Sequence, residues 1–224
     1  IFVIIGRVPK GFGWRLILLL VLGGFQGVVG WWMVKSGLTE QASVSQYRLA
    51  SHLAVALVIF SLLIWTGFDL RDGSAKSPKG HGMACLALLG ITILAGALVA
   101  GMDAGLLYNH YPLMGTGLVP VEYGEAGWLD PFENPASAQF HHRWIAAVTF
   151  GAVVVLALNA RRHGLHLRSN LVLGAVVVQF ILGIVTLLHG VPVALGGMHQ
   201  AGAVLLLGCL LALLHGESHH RQNI

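Results

Sequence analysis

Gln139-Phe-His-His-Arg-Trp-Ile-Ala-Ala-Val-Thr-Phe-Gly-Ala-Val-Val-Val-Leu-Ala-Leu-Asn-Ala160 runs straight into Arg161-Arg162. No charged side chain interrupts it between Trp144 and Ala160. About 20 such residues, wound as an α-helix, cross the ~30 Å hydrocarbon layer of a bilayer. Inside that layer the backbone has no water to bond, so a helix is the default conformation. The run has a basic pair at one end and histidines at the other, with His142 inside the apolar stretch. An ionisable side chain there costs several kcal/mol unless it finds a partner, which makes His142 a candidate functional residue.

Five further stretches read the same way. Together the six spans are Trp14–Val34, Tyr47–Phe68, Gly82–Met102, Gln139–Ala160, Asn170–His189 and Leu195–His215. The chain as a whole is 56% hydrophobic and 10% charged, against about 25% charged for a soluble domain, so the fold class is all-α and polytopic in a membrane. The 30 glycines follow no G-X-Y period and favour close helix packing in lipid. Basic residues are confined to short connections, which excludes a nucleic-acid partner and leaves membrane lipid as the surroundings. Cys85 and Cys209 lie inside apolar spans without CxxC or CxxCH spacing and read as packing residues. Phosphate-loop, zinc, Ser/His/Asp and dinucleotide motifs are all absent.

Charge sets the orientation. With the N-terminal stub in the cytoplasm, Arg7, Lys10, Arg15, Arg71, Lys76, Lys79, Arg161, Arg162, Arg168 and Arg221 lie inside, and only Lys35, Arg48 and Arg143 lie outside. That is ten of the thirteen basic residues on one side, as the positive-inside rule requires. The acids Asp103, Glu122, Glu125, Asp130 and Glu133 all fall in the long third connection. The second, fourth and sixth spans then start outside, and His52, His142 and His199 share one depth beneath the outer surface.

An internal repeat agrees with this. Gln26-Gly-Val-Val-Gly30 precedes His52, and Gln179-Phe-Ile-Leu-Gly183 precedes His199. The first and last hairpins therefore read as equivalent parts of two related halves. The stub Ile1–Ile5 reads as the inner end of a helix that begins upstream, and that helix is expected to carry a fourth histidine near its outer end.

Two imidazoles at matching depth on parallel helices of a four-helix bundle can hold a haem iron from both faces. His142 and His199 are that pair. Gly196, Gly197, Ala201 and Gly202 offer room for the macrocycle, and Arg143 offers a planar fork to haem propionates. His141 points about 100° away and is the weaker candidate. His81, His163, His166, His215, His219 and His220 are expected in or beside solvated inner loops, and His110 and His189 on the outer side without a pairing logic. Trp31 and Trp32 suit an interfacial aromatic belt, while Gly23, Gly27 and Gly30 have the spacing of a close helix crossing. The connection after Met102, about 36 residues long, is either a cap over a pocket or a solvated linker.

Several strings resemble the haem A synthase family, called Cox15 in mitochondria and many proteobacteria and CtaA in other bacteria. They are Gly6-Arg-Val-Pro-Lys10, Gly30-Trp-Trp-Met-Val-Lys-Ser-Gly37, Val44-Ser-Gln-Tyr-Arg-Leu-Ala-Ser-His52, Ala100-Gly-Met-Asp-Ala-Gly105 with Tyr108-Asn109, Glu133-Asn-Pro135, Gln139-Phe-His-His-Arg143 and His199-Gln200. The mitochondrial and alphaproteobacterial branch is the most similar. The resemblance implies eight helices in two pseudo-repeated four-helix bundles, of which six are in this chain. Residues 1–72 would be the remainder of an N-terminal bundle that takes the substrate haem, and residues 73–224 a C-terminal bundle with a b-type haem. It implies oxidation of the C8 methyl group of haem O to the formyl group of haem A, for cytochrome c oxidase. It carries b-haem ligation onto His142 and His199, and substrate-haem ligation onto His52. The partner of His52 and a catalytic acidic residue would lie in an upstream part, so no catalytic residue is assigned in this chain.

Arg48, one turn outward from His52 on the same helical face, joins Arg143 as a propionate candidate. The expected location is an integral position in a bacterial plasma membrane or mitochondrial inner membrane, with the haem sites near the outer, periplasmic side. Expected partners are haem O and haem A, an electron donor protein, haem O synthase, cytochrome oxidase assembly factors and a second copy in a homo-oligomer. The alternative is a b-type electron-transfer cytochrome without substrate oxidation. Ligands on one side only disfavour that role, because transmembrane electron carriers need them near both surfaces. A colourless purified protein would point instead to a non-haem assembly factor.

Overall fold

Asn134 starts the helix that carries the decisive run. Its side-chain oxygen accepts the backbone N–H groups of Ala136 and Ser137 at 3.0 and 3.3 Å, and Pro135 fills the first helical position, where no N–H is needed. In the computed structural model, which describes residues 5–35, 44–75, 78 and 80–220 (the last two as backbone only), the helices are α1 (Gly13–Lys35), α2 (Gln46–Asp72), α3 (His81–Gly101), the single-turn α4 (Asp130–Glu133), α5 (Pro135–Arg162), α6 (His166–Leu188) and α7 (Val193–His220). Two short 3-10 turns, Ala104–Leu106 and Gly127–Leu129, lie between α3 and α4. Ile1–Ile4 of the stub, Ser36-Gly37, Lys76, Lys79, Arg221 and the side chains of His219 and His220 lie outside the described residues.

Six of these helices are long and apolar enough to cross a membrane. The chain is an all-helical, polytopic integral membrane protein. Most of the helices outrun the hydropathy windows, as α2 does by ending at Asp72 and α5 by beginning at Pro135. At 1.5 Å per residue, the 28 residues of α5 reach about 42 Å, the full bilayer with its headgroups. Hydropathy marks only the hydrocarbon part, while caps and interfacial polar side chains carry the helix onward.

Four helices close a ring, with α3 against α5, α5 against α6, α6 against α7 and α7 against α3, leaving α5 and α7 on a diagonal. The hairpin α1–α2 joins this ring through α2, which packs on α3 and α7. Where α2 enters, Gly101 matters: a Cβ there would lie 2.6 Å from the Cα of Gln46. Helix α1 is mostly bare, with Val29 its one buried residue. Of the expected crossing glycines, Gly23 and Gly27 face open space, and Gly30 alone meets a neighbour, which is an imidazole.

The dense apolar core occupies one end of the ring. It comprises Cys85 and Leu89 of α3, Val153 and Leu156 of α5, Val172 and Val176 of α6, and Leu206 to Leu214 of α7. Cys85 and Cys209 are both free thiols, consistent with packing roles. At this same basic end, the buried Asp69 carboxylate accepts from Arg15, from the His215 ring nitrogen at 3.0 Å and from the Ala75 N–H at 3.0 Å. Arg168 donates to Asp72 at 3.0 Å and to the Ala212 carbonyl at 2.8 Å. His215 therefore corrects the expectation of a solvated residue: it is fully buried, with Trp65 and Phe68 beside its ring. The carboxylate of Asp69 supplies what makes that burial tolerable.

Candidate functional site

At the opposite end, the apolar core gives way to three imidazoles, each laid on a glycine of the neighbouring helix. An ideal Cβ on Gly30 would come within 3.0 Å of His52 Cε1, on Gly96 within 3.1 Å of His142 Cε1, and on Gly183 within 2.8 Å of His199 Cε1. Only a residue without a side chain lets a ring approach the backbone this closely. Four residues before each glycine stands the polar partner of the same ring. Gln26 Nε2 is 3.3 Å from His52 Nε2, and Gln179 Nε2 is 3.1 Å from His199 Nδ1. The Nδ1–H of His142 donates to the backbone carbonyl of Thr92 at 3.1 Å. The seat is thus built three times, with α1 serving α2, α3 serving α5, and α6 serving α7.

His142 and His199 stand on the two diagonal helices of the closed ring. With its proton on Nδ1, His142 presents the Nε2 lone pair, which has no hydrogen-bond partner among the described residues. That is the form a metal-ligating imidazole takes. Among the described residues no three His, Cys, Asp or Glu side chains gather as a metal site. Two imidazoles on diagonal helices, each seated on a glycine, suit a planar metal–porphyrin better than a bare ion, so the residues fit a haem. Gly197 faces open space beside His199, as room for a macrocycle requires. Gly202 does not serve as expected: a Cβ there would strike Gln179 Oε1 at 2.3 Å.

The long connection is a cap, not a loose linker. Arg143 donates to the carbonyls of Tyr108 at 2.6 Å, His110 at 2.9 Å and Leu113 at 3.3 Å. Gln139 donates to Tyr108 O at 3.2 Å, and Asn109 to Leu187 O at 3.0 Å. Tyr47 of α2 donates to Glu133, and the Tyr111 ring meets Phe180 edge to face with centroids 6.5 Å apart. Two groups of this cap have altered acidities. Glu122, hydrogen-bonded to Tyr108, raises the tyrosine's pKa above its ordinary value. Burial works against ionising Asp130, but hydrogen bonds from the Ala126 and Gly124 N–H groups and the Asn134 amide outweigh it and hold the carboxyl at about 2.

Of the residues singled out in the sequence, His142 and His199 come together, and His52 sits apart on α2 in an equivalent seat. Arg48 donates to Trp32 O at 3.0 Å and lies over the Trp32 ring at 4.7 Å. His141 turns away, bonding Ser137 O at 2.7 Å and stacking on Tyr123. Sequence reasoning missed Thr92 and Gly96. Their spacing matches Gln26/Gly30 and Gln179/Gly183 once the first position is allowed to be other than glutamine.

Comparison with known proteins adds the family. The model of the COX15-CtaA family, described as cytochrome oxidase assembly protein, matches residues 1–211. This chain belongs to the COX15-CtaA family. Within the family it is similar to curated proteins named heme A synthase. It is 45% identical to that of Allorhizobium ampelinum over 94% of this chain and 61% of the relative. It is 44% identical to those of Caulobacter sp. K31, over 92% of this chain and 63% of the relative, and of Caulobacter vibrioides, over 95% and 65%. The chain thus spans about three fifths of the length of these COX15-CtaA relatives.

Proposed function

We propose that this chain is the larger part of a haem A synthase, which oxidises the C8 methyl group of haem O to the formyl group of haem A. The observation that carries this reading is the threefold imidazole-on-glycine seat at one end of the bundle, in a chain of this family. Residues 73–224 form the half that holds a b-type haem, and residues 1–72 the remainder of the half that takes the substrate haem. When bound, the b-type haem supplies one-electron redox chemistry.

The protein's own contribution is placement. His142 and His199 would hold the iron, with Thr92 O keeping the His142 proton on Nδ1 and its lone pair free. Gly96 and Gly183 admit the rings against the backbone, and the cap tied down by Arg143 and Asn109 keeps water off the site. His52 holds the substrate haem from one side. Arg48 stands one turn nearer the surface, where it would meet the propionates of a porphyrin held at His52, and charge-assisted hydrogen bonds there would contribute about 1.5–3 kcal/mol each. Arg143, whose guanidinium already serves three carbonyls, reaches propionates only through its remaining N–H groups. The membrane is a bacterial plasma membrane or a mitochondrial inner membrane, with the histidine end facing outward, because the basic residues crowd the other end. An electron donor, haem O synthase and oxidase assembly factors are the partners this role calls for.

The test uses the full-length protein in cells that supply haem O, with haem A yield and reduced-minus-oxidised spectra as readouts. His142→Ala and His199→Ala are expected to abolish the low-spin b-haem bands, and His141→Ala to spare them. Arg48→Leu is expected to lower haem A yield with the b-haem bands intact. Wild-type bands in both His142→Ala and His199→Ala overturn the ligand assignment. A b-haem protein that binds haem O but never forms haem A would be an electron-transfer cytochrome instead.

A further inference from the structure

We propose that Gln179 is the positioning residue for His199: its side-chain amide dictates which ring nitrogen faces the haem iron and thereby tunes the reduction potential. This rests on the bis-imidazole reading above. The three seats differ in what holds the ring. At His142 the acceptor is the carbonyl of Thr92, a group that can only accept. At His199 the group against Nδ1 is an amide, whose Nε2 also donates to the His199 backbone carbonyl at 2.9 Å. Donation from Nε2 to Nδ1 places the imidazole proton on the far nitrogen, where a metal ligand must instead have a lone pair. The other end of the same amide resolves this. Gln179 Oε1 is buried and has no hydrogen-bond partner among the described residues. A half-turn of the terminal amide exchanges the bond to the His199 carbonyl for one at the ring: it sets that oxygen against Nδ1, and the His199 proton then donates to it. A buried amide oxygen without a partner is uncommon in a folded protein and calls for such a role.

A second observation on another helix supports the assignment. Gly202 leaves room beside the amide terminus for it to turn, since a Cβ there would lie 2.3 Å from Oε1 as it stands away from the ring. Three residues beyond His52, the matching position in α2 is Val55. In the matching seat Gln26 Oε1 is likewise buried without a hydrogen-bond partner among the described residues, but its amide meets Nε2 of the His52 ring. An acceptor on the distal ring N–H makes the imidazole a stronger ligand for the oxidised iron. Losing the acceptor raises the reduction potential, and a carboxylate in its place lowers it.

The experiment is a redox titration and an electron paramagnetic resonance spectrum of the purified full-length protein carrying the b-type haem. Gln179→Met keeps length and volume but accepts no hydrogen bond. It is expected to shift the redox equilibrium threefold to tenfold toward the reduced state, about 28–59 mV for a one-electron couple. Gly202→Ala, which touches neither ring, is expected to shift it the same way. Gln179→Glu is expected to shift it in the opposite direction, and Gln26→Met to leave it unchanged. Potentials and g-values equal to wild type in Gln179→Met, Gly202→Ala and Gln179→Glu overturn the proposal, as does an equal shift from Gln26→Met. If Gln179→Met does not accumulate in the membrane, the sign of the Gln179→Glu shift decides. A wild-type protein without haem overturns the bis-imidazole reading itself, a result distinct from haem present at an unmoved potential.

Discussion

The hairpins α1–α2 and α6–α7 carry the same three residues in the same order, Gln26/Gly30/His52 and Gln179/Gly183/His199, yet the glutamine meets Nε2 of one ring and Nδ1 of the other, and their surroundings differ. Helix α6 buries Ser169, Val172, Val176 and Thr186 against its neighbours, whereas α1 buries Val29 alone. Two adjacent helices are enough to seat one imidazole on one glycine. Facing it with a second imidazole takes another hairpin, and for α6–α7 that is α3–α5. The His199 seat thus belongs to the closed four-helix ring, and the His52 seat packs beside that ring through α2.

The sharpest way to break this comparison is to fill the glycines. In Gly183→Val the first added carbon falls 2.8 Å from the His199 ring, so the ring must leave its seat. Loss of most of the b-type haem is expected, at least a tenfold fall in haem-to-protein ratio. Gly30→Val should leave that ratio unchanged and lower haem A yield alone. If both variants lose the b-type haem equally, the two seats are not independent.

A smaller effect is expected where the hairpins are pinned together. Asp69 of α2 receives Arg15 of α1 and His215 of α7, so Asp69→Leu leaves a buried imidazole and a guanidinium without their carboxylate. Removing one partner of a buried ion pair costs about 3–5 kcal/mol, and the lower end applies here because Arg15 is 41% exposed. Thermal unfolding in detergent should show the loss as a lower midpoint, with haem still bound at His142 and His199 below it. Haem lost in step with Asp69→Leu at low temperature would mean that the closed ring depends on α1–α2.

The smallest effect concerns the cap. The Asp130 carboxyl is held at about 2, below the ordinary value of about 3.9 for the unfolded chain. Its contribution is therefore fully present above about pH 4 and is lost as pH falls through about 2. Amide hydrogen exchange across residues 122–134 should stay slow from pH 7 down to 4, once corrected for intrinsic rates. It should quicken severalfold in Asp130→Ala at pH 7, without release of haem. An unprotected wild-type segment at pH 7 would show that the cap is not held from this residue.

Much of the site was legible because its signals are local. His142 was separable from His141 by helical phase alone, and the depth of all three seats followed from charge bias and span length. The QxxxG spacing marked two glycines before any contact was visible. Thr92 escaped because the group that holds His142 is a backbone carbonyl, which every residue has and no sequence pattern marks. His215 was misread because its position near a helix end suggested water, and only the approach of Asp69 from α2 makes it a buried residue. Arg143 looked free to bind an anion. Folding the long connection back over the bundle gave it three carbonyls to hold first.

The sequence by itself determined the six spans and the placement of His52, His142 and His199 near the starts of theirs. These follow from apolar length, helical rise and basic loops, properties of neighbouring residues in a solvent that forbids unpaired backbone. Tertiary structure alone decided that α5 and α7 stand on a diagonal, that each imidazole finds its glycine on the preceding helix, and that Gln179 nests against Gly202. In lipid no hydrophobic force selects one helix face over another. The choice falls to close fit and scarce polar partners, which exist only once distant segments have met.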